Sequence, residues 1–226
     1  MVPLWLKRIA TAAFNLFFQV APKGNTPTAG SIQEPASAKS SMPVVVPFAP
    51  ATVTNGPTKI KVWNKEQVLA GFPFSQKSFA DALASGALLL EKELGVPAEL
   101  VVAQAAHESR FGNSELALQG LNLFGITATD SWLKRGGLQI KMNTGEVIQG
   151  AEVRLVRGFR LYASWYDCLE DYGGILSSIK LYAPALEAFR AGRLEDGVKA
   201  LGRYWATDPD YAPKLLRAIP VYKALL

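Results

Sequence analysis

Glu108 is the residue whose type and position in the sequence most favour catalytic chemistry. With Val101, Gln104 and Ala105 it follows the i, i+3, i+4 and i+7 spacing that places residues on one face of a helix. Burial on such an apolar face disfavours the charged carboxylate and raises its pKa, so the group can keep a proton near neutral pH and donate it. A glutamate at the end of an ordinary amphipathic helix leans into water instead, and the spacing alone leaves both interpretations open.

His107, the single histidine of the chain, limits the rival chemistries. A zinc protease motif of the His-Glu-x-x-His type requires a second histidine where Phe111 stands, which excludes a zinc site of that type. A serine triad would have to use His107, but Ser109 points to a different helical face and the chain has no Gly-x-Ser-x-Gly segment. His107 is therefore predicted to be structural or to line a cleft, and no metal or cofactor is predicted.

Glu108 also belongs to a series of segments spread from residue 103 to residue 212. The segments are, in order, Ala-Gln-Ala-Ala-His-Glu-Ser-Arg-Phe-Gly (103–112), Asn-Leu-Phe-Gly-Ile (122–126), Thr-Gly-Glu (144–146), Asp-Tyr-Gly-Gly-Ile-Leu (171–176) and Ala-Thr-Asp-Pro-Asp-Tyr-Ala (206–212). Their order and spacing resemble those of the bacterial and phage peptidoglycan endo-β-N-acetylglucosaminidases, glycoside hydrolase family 73, which include the flagellar rod hydrolase and autolysins. The resemblance covers roughly residues 72 to 226.

The resemblance implies an activity and roles for two carboxylates. The activity is hydrolysis of the β-1,4 bond between N-acetylglucosamine and N-acetylmuramic acid, with Glu108 as general acid and Glu146 as the second carboxylate, which positions water. The family has Thr-Thr-Glu where this chain has Thr-Gly-Glu, and an apolar residue where it has His107. A solvated turn residue is the alternative for Glu146, in which case the acetamido group of the substrate would assist the reaction instead.

Flat aromatic rings are suited to sugar binding, because they bury one face of the sugar and leave its hydroxyls free to hydrogen-bond. The aromatic residues predicted to bind substrate are Phe124, Trp132, Trp205 and Tyr211. Tyr211 matches the tyrosine of the Ala-Thr-Asp-Pro-x-Tyr-Ala segment, whereas the family has Gly-Tyr where this chain has Tyr204-Trp205, which puts any role of that tyrosine in doubt. Asn122 and Asp208 are predicted to fix loops through local hydrogen bonds.

Capping residues and apolar periodicity predict a mainly helical domain around these residues. A helix capped by Ser75 or Ser78 ends at Gly95, and Pro97 fits the first turn of the next helix, which carries Glu108 and stops at 112–113. Further helices are predicted from Ser164 to about residue 182, over 184–191, over 194–204, and over 211–226 with a break near Pro220.

Apolar residues mixed with turn signals at 143–145 and 149–150 predict a β-hairpin between residues 138 and 161. The predicted fold class is therefore mainly α with a small β-hairpin lobe, α+β. The resemblance implies a lysozyme-like two-lobed cleft, with Glu108 at its floor and Glu146 on the β-lobe opposite.

The 226 residues divide into three parts. Residues 1–21 are an amphipathic or signal-like segment, too short and too interrupted by polar residues to span a bilayer. Residues 22–58 are rich in Pro, Ala and Ser and cannot bury enough side chains to offset their ordering entropy, which predicts a disordered linker. Residues 59–226 form the glucosaminidase-like catalytic domain.

A net charge of +5 favours approach to an anionic cell wall. The chain has no dense Lys/Arg cluster with interleaved aromatics, so nucleic acid is not predicted as a partner. The expected partners are peptidoglycan glycan strands, together with a membrane interface or an envelope or virion assembly partner for residues 1–21. The expected location is the cell envelope, the periplasm or the exterior, with a phage-encoded lysin as an alternative origin.

Two other functions fit the same sequence. One is a muramidase or lytic transglycosylase on the same architecture, and the other is a non-catalytic wall-binding or assembly protein. The presence of both Glu108 and Glu146 favours an enzyme.

Overall fold

The computed structural model describes residues 60–148 and 151–226, with the backbone alone for residues 144–148 and 151–154. The elements in chain order are α1 Lys65–Gly71, α2 Gln76–Leu94, α3 Ala98–Ser109, α4 Glu115–Gln119, α5 Asp130–Lys134, β1 Leu138–Ile148, β2 Ala151–Leu161, α6 Trp165–Ser178, a 3-10 turn Lys180–Tyr182, α7 Ala183–Arg190, α8 Leu194–Trp205 and α9 Tyr211–Lys223. The predicted α+β class is confirmed. The predictions for residues 1–21 and 22–58 lie outside the described residues.

Helix α3 lies in the core because almost all of its side chains are small or apolar. Ten of its 12 residues are buried, and it packs against both α2 and α9. Small side chains such as Ala103 and Ala106 let the neighbouring helices approach closely. The last turn of this well-packed helix carries Glu108, so the backbone of the candidate acid is held by the core.

The chain turns sharply after α3. The Ser109 hydroxyl donates to the Ala105 carbonyl at 2.6 Å and accepts from the Gly112 N–H at 2.8 Å. Gly112 has a φ of 75°, and a Cβ there would lie 2.6 Å from the Trp165 ring, so the turn requires glycine. Asn113 then binds the backbone N–H and carbonyl of Phe74, both at 2.8 Å, which ties the turn to the start of α2.

Both serines proposed as caps take part in the start of α2. Ser75 is the N-cap and its hydroxyl accepts from the Ser78 N–H, while the Ser78 hydroxyl accepts from the Ser75 N–H. This reciprocal capping box satisfies two backbone donors. Gly95 ends α2, as predicted, and the structure gives it the left-handed conformation with a φ of 77°.

The predicted hairpin is present, but its two strands are longer than the turn signals indicate. Strands β1 and β2 pair antiparallel from Leu138 opposite Leu161 to Ile148 opposite Ala151. The Asn-Thr-Gly signal at 143–145 does not interrupt β1, since Thr144 pairs with Leu155 in continuous register. A two-stranded ribbon tolerates weak strand formers when the pairing on both sides continues.

An ion pair joins the hairpin to the helical body. The Arg160 Nη1 lies 2.6 Å from both carboxylate oxygens of Asp171 in α6, and the Tyr162 hydroxyl donates to the same carboxylate at 2.6 Å. The Arg160 guanidinium also lies 4.5 Å from the centre of the Trp132 ring. These contacts connect β2, α5 and α6 at the base of the hairpin.

Two predicted helix boundaries are wrong. The helix that Ser164 caps ends at Ser178, and a 3-10 turn follows, because Ile179 adopts an extended backbone conformation. Helix α9 is not broken at Pro220 but continues to Lys223. Proline removes only one backbone donor, and near the end of a helix that loss affects a single turn. The short helices α1, α4 and α5 were not predicted.

Candidate active site

The structure places Glu108 in a buried position at the end of α3. The residue is 6% exposed, with the fully buried Gln104 one turn before it on the same face. The two interpretations of the apolar stripe are therefore decided in favour of burial. Next to it, His107 remains exposed at the surface.

The two oxygens of the Glu108 carboxyl group have different surroundings. Oε1 accepts a hydrogen bond from the Tyr211 hydroxyl at 2.6 Å and another from the Trp205 indole Nε1 at 3.2 Å. Oε2 is buried and has no hydrogen-bond partner among the residues that the structure describes. One oxygen therefore accepts two hydrogen bonds, while the other accepts none from the described residues.

Burial raises the pKa of Glu108 from 4.5 to about 7, and the hydrogen bonds from Tyr211 and Trp205 oppose the shift. Desolvation dominates because a charged carboxylate loses more hydration on burial than two donors restore. Tyr211 is 3% exposed, and its own burial, together with the adjacent Glu108, raises its pKa well above the ordinary value. Tyr211 therefore remains a protonated donor when Glu108 ionises.

The two donors flank the connection between α8 and α9. Trp205 is the last residue of α8 and Tyr211 the first residue of α9. Between them, the Asp208 side chain accepts from the Asp210 N–H at 3.1 Å and pairs with Lys214, and the Asp208 carbonyl accepts from the Tyr211 N–H at 3.1 Å. The predicted loop-fixing role of Asp208 is confirmed, and the turn that it holds brings both donors to the Glu108 carboxyl group.

Phe124 does not occupy the sugar-facing position predicted for it. It is 2% exposed, and its ring stacks on Tyr172 at 4.2 Å between centroids with an interplanar angle of 11°. A ring buried in this way has no face free for a sugar. Tyr172 donates from its hydroxyl to the Gln104 amide oxygen at 2.7 Å, so this aromatic pair supports the face of α3 that carries Glu108.

Asn122 holds the loop that follows the catalytic helix. Its amide nitrogen donates to the carbonyls of Ile126 and Arg160 at 2.9 and 3.0 Å, and its amide oxygen accepts from the N–H groups of Phe124 and Ile126. The predicted structural role of Asn122 is confirmed. It also links this loop to β2, which aligns the hairpin with the helical body.

Trp132 is half-buried between α5 and the hairpin. Its indole Nε1 donates to the Leu138 carbonyl at 2.8 Å, and the Arg160 guanidinium lies over its ring. A Cβ at Gly137 would lie 2.2 Å from the same ring, so the glycine packs tightly against it. Trp132 thus fastens the base of the hairpin, and a contact between its remaining surface and substrate stays a prediction.

Glu146 lies in the outer part of β1, in register with Val153 of β2. Its side chain is outside the part of the chain that the structure describes. The pairing of Glu108 with Glu146 therefore stays a prediction.

His107 contacts the site from the surface side. Its ring lies 5.6 Å from the Tyr211 ring in an edge-on arrangement. Although the residue is exposed overall, the atoms packed around its ring lower its pKa, Lys214 lowers it further, and Asp208 opposes this. His107 was predicted to be structural or to line a cleft, and a ring contact with Tyr211 is compatible with both roles.

The contact of Trp205 with Glu108 was not predicted from the sequence. Trp205 was predicted to bind substrate, yet the structure directs its N–H to Oε1, across 97 residues of sequence. The packing of α3 against α9 creates this contact, and no local pattern in either segment encodes it. Among the described residues, no group of three or more His, Cys, Asp or Glu side chains is arranged to hold a metal ion.

Comparison with known proteins assigns this chain to a family. The family model described as mannosyl-glycoprotein endo-β-N-acetylglucosaminidase matches residues 84–224. The peptidoglycan hydrolase FlgJ of Escherichia coli (strain K12) is 34% identical over 158 residues, which cover 68% of this chain and 49% of that protein. The exo-glucosaminidase LytG of Bacillus subtilis (strain 168) is 33% identical over 153 residues, covering 65% and 51%. The chain spans about half the length of the curated relatives that it matches.

A solved structure of a related domain shows the same relationship. The C-terminally truncated glycoside hydrolase domain of Salmonella typhimurium FlgJ matches with a TM-score of 0.54 and 35% identity, over 66% of this chain and 99% of that domain. This likeness confirms the lysozyme-like arrangement of a helical body and a β-lobe. On the extent of the family match and the agreement in fold, the chain belongs to the endo-β-N-acetylglucosaminidase (glucosaminidase) family.

Proposed function

We propose that the protein is a peptidoglycan hydrolase that cleaves the β-1,4 bond between N-acetylglucosamine and N-acetylmuramic acid, with Glu108 as its general acid. The observation that carries this proposal is the burial of Glu108, which raises its pKa to about 7. The names of two relatives, peptidoglycan hydrolase FlgJ and exo-glucosaminidase LytG, support the substrate and the bond.

The chemistry requires a proton on the oxygen that leaves the sugar. Glu108, protonated near neutral pH, donates this proton to the glycosidic oxygen as the C–O bond breaks, so the leaving group departs as a neutral hydroxyl. The carboxyl group becomes a carboxylate, and the Tyr211 and Trp205 donors stabilise the new charge on Oε1. The sugar ring then carries the developing positive charge and is attacked by water.

Glu146 is the proposed second carboxylate, which positions and deprotonates the attacking water. Its support is the Thr-Gly-Glu segment and its place in β1, near the outer end of a hairpin anchored by Arg160 and Asp171. The alternative is assistance by the acetamido group of the substrate itself. The Glu146→Gln variant distinguishes the two, because assistance by the substrate would leave most of kcat in place.

Substrate contacts are proposed for Trp205 and Trp132, whose rings are both half-buried. Tyr211 is proposed to contribute through its hydroxyl, which is committed to Glu108, since its ring is almost fully buried. Phe124 is left out of this set because it lies in the core.

The proposed place of action is the cell envelope or the cell exterior, where peptidoglycan is found. The proposal rests on the relatives, whose names refer to peptidoglycan or to glucosaminidase activity. Residues 1–21 are proposed to contact a membrane interface or an envelope or virion assembly partner. In the described ranges, none of the helices has the length and apolar character needed to cross a membrane.

The proposal is tested by mass spectrometry of borohydride-reduced fragments released from purified peptidoglycan. Wild type is expected to release fragments with reduced glucosamine ends, and the Glu108→Gln variant is expected to release none. The matched control is Glu99→Gln, which alters a carboxylate in the first turn of the same helix and should retain activity.

Other products would assign a different activity to the protein. Reduced muramic ends would indicate a muramidase, and anhydro-muramic ends would indicate a lytic transglycosylase. If a folded wild type released no fragments from any wall source between pH 4 and 9, a wall-binding or assembly role would account better for the chain.

A further inference from the structure

Trp205 and Tyr211 both bind the same oxygen of the Glu108 carboxyl group. The indole Nε1 and the phenolic hydroxyl donate to Oε1 at 3.2 and 2.6 Å, while Oε2 is buried and without a hydrogen-bond partner among the described residues. We propose that Trp205 is a positioning residue that, together with Tyr211, confines the transferable proton to Oε2 of Glu108. This inference rests on the proposed function, in which Glu108 is the general acid.

The different hydrogen-bonding capacities of the two carboxyl oxygens of Glu108 explain why the proton belongs on Oε2. In a protonated carboxyl group, the carbonyl oxygen has two lone pairs and the hydroxyl oxygen has one proton to donate. Two donors therefore match Oε1 as the carbonyl oxygen. An ionised group would instead leave negative charge on Oε2, which is buried and accepts no hydrogen bond from the described residues, and an unpartnered buried charge is costly.

The oxygen without a protein partner is the one left to serve the substrate. A proton on Oε2 has no acceptor among the described residues, and the atom is also closed to solvent in this structure. Glycan binding must therefore uncover Oε2 before the glycosidic oxygen can take the place of the missing acceptor. Had the two donors been divided between the two oxygens, one of them would compete with the substrate for the reacting oxygen. Placing both on Oε1 removes this competition.

The indole has a property that the hydroxyl of Tyr211 lacks. An indole N–H only donates, whereas a hydroxyl both donates and accepts. Trp205 therefore cannot accept the proton of Glu108, and its presence favours the carbonyl form of Oε1 in every arrangement of the tyrosine hydroxyl. Edge-on contacts with Phe124 and Tyr172, at 6.2 and 5.3 Å between centroids, and a tilted contact with Tyr182 at 6.0 Å hold the indole ring in place.

The test removes the N–H without changing the shape of the ring. Site-specific replacement of Trp205 by 3-benzothienylalanine exchanges the N–H for sulfur, and Trp205→Phe is a second variant that loses the same donor. Tyr182→Phe is the control, since the Tyr182 ring also contacts Trp205 but does not belong to the described donors that hydrogen-bond Glu108. The dependence of kcat/KM on pH is measured for each folded protein on soluble glycan fragments.

The direction of the shift follows from the role of the donor. The Trp205 hydrogen bond favours the ionised carboxylate and lowers the pKa of Glu108. Removing it should move the alkaline limb of kcat/KM upward by about one pH unit, which corresponds to the loss of one hydrogen bond to a charged group. On the acidic plateau, kcat should fall about tenfold, because the proton is no longer confined to the productive oxygen.

Each result separates the inference from the proposed function. If Trp205 only contacts sugar, the variants raise KM and leave the alkaline limb in place, which overturns the inference while Glu108→Gln remains inactive. If Glu108→Gln itself retains activity, both the proposed function and the inference are wrong. A shift in the 3-benzothienylalanine variant, with none in Tyr182→Phe, supports the inference.

Discussion

The hydroxyl of Tyr211 donates a 2.6 Å hydrogen bond to the carboxyl group of Glu108, between residues 103 positions apart in the chain. This bond joins the last turn of α3 to the first turn of α9. It supports a buried carboxyl group whose only other hydrogen bond from the described residues is the one that the Trp205 indole donates to Oε1. The candidate acid and its support therefore come from two helices that pack together in the core.

The Tyr211→Phe variant should be slower and should titrate at higher pH. The lost donor favoured the ionised form of Glu108, so its pKa should rise and the alkaline limb of kcat/KM should move upward. We expect kcat to fall by about tenfold to a hundredfold, because the developing carboxylate loses its shorter hydrogen bond. The measurement is a pH–rate profile on glycan fragments, with Tyr222→Phe in the same helix as control. An unchanged kcat would contradict the role given to Tyr211.

The stability of wild type should fall with pH relative to that of Glu108→Gln. The pKa of Glu108 is raised from 4.5 to about 7 in the folded protein, so the folded state binds its proton more tightly than the unfolded chain. The stabilisation is fully present below pH 4.5 and is lost as pH rises through about 7. The full difference is about 3 kcal/mol.

The measurement is urea unfolding of both proteins from pH 4 to 8, with the two free energies subtracted so that other titrating groups cancel. If the free energies of unfolding of the two proteins changed in parallel across this pH range, the pKa of Glu108 would not be raised in the folded protein.

Substitution of Phe124 should affect stability more than substrate binding. The ring is buried and stacked on Tyr172, so Phe124→Ala should lower the free energy of unfolding by about 3 to 5 kcal/mol. The milder Phe124→Leu variant should remain folded with KM close to that of wild type. A large rise in KM for a stable Phe124→Leu protein would return Phe124 to the substrate-binding set.

The ion pair between Arg160 and Asp171 should contribute far more to the free energy of unfolding than ion pairs at the surface. Both side chains are largely buried, so Arg160→Met leaves an uncompensated carboxylate and should cost about 3 to 5 kcal/mol. The double variant Arg160→Met/Asp171→Leu should recover part of this loss. Lys77→Met, which breaks the exposed pair with Asp81, should cost less than about 1 kcal/mol. Equal costs for Arg160→Met and Lys77→Met would contradict the anchoring role of Arg160.

Local signals predicted those parts of the fold that depend on neighbouring residues. Ser75, Ser78 and Gly95 set the ends of α2 through hydrogen bonds within four residues of each end, so their chemistry is visible in the sequence. Asn122 fixes its loop mainly through bonds to residues up to four positions away. Such features require no knowledge of the tertiary structure.

Several features that were not predicted depend on packing between distant segments. Pro220 is tolerated within α9, which lies against the core helix α3, so tertiary packing outweighs the local penalty of the proline. Phe124 lies in the core because Tyr172 in α6 covers it, which its own segment does not reveal. The hydrogen bond from Trp205 to Glu108 likewise depends on the approach of the α8–α9 connection to α3.

The role of Glu108 as general acid is tested most directly by its own ionisation, measured as the wild-type minus Glu108→Gln difference in carboxyl C=O infrared absorption between pH 3 and 9. We expect a buried carboxyl band that titrates with a midpoint of about 7, and this midpoint should coincide with the alkaline limb of kcat/KM. A midpoint near or below the ordinary value of 4.5 would show that Glu108 is ionised at neutral pH and would contradict its role as the general acid.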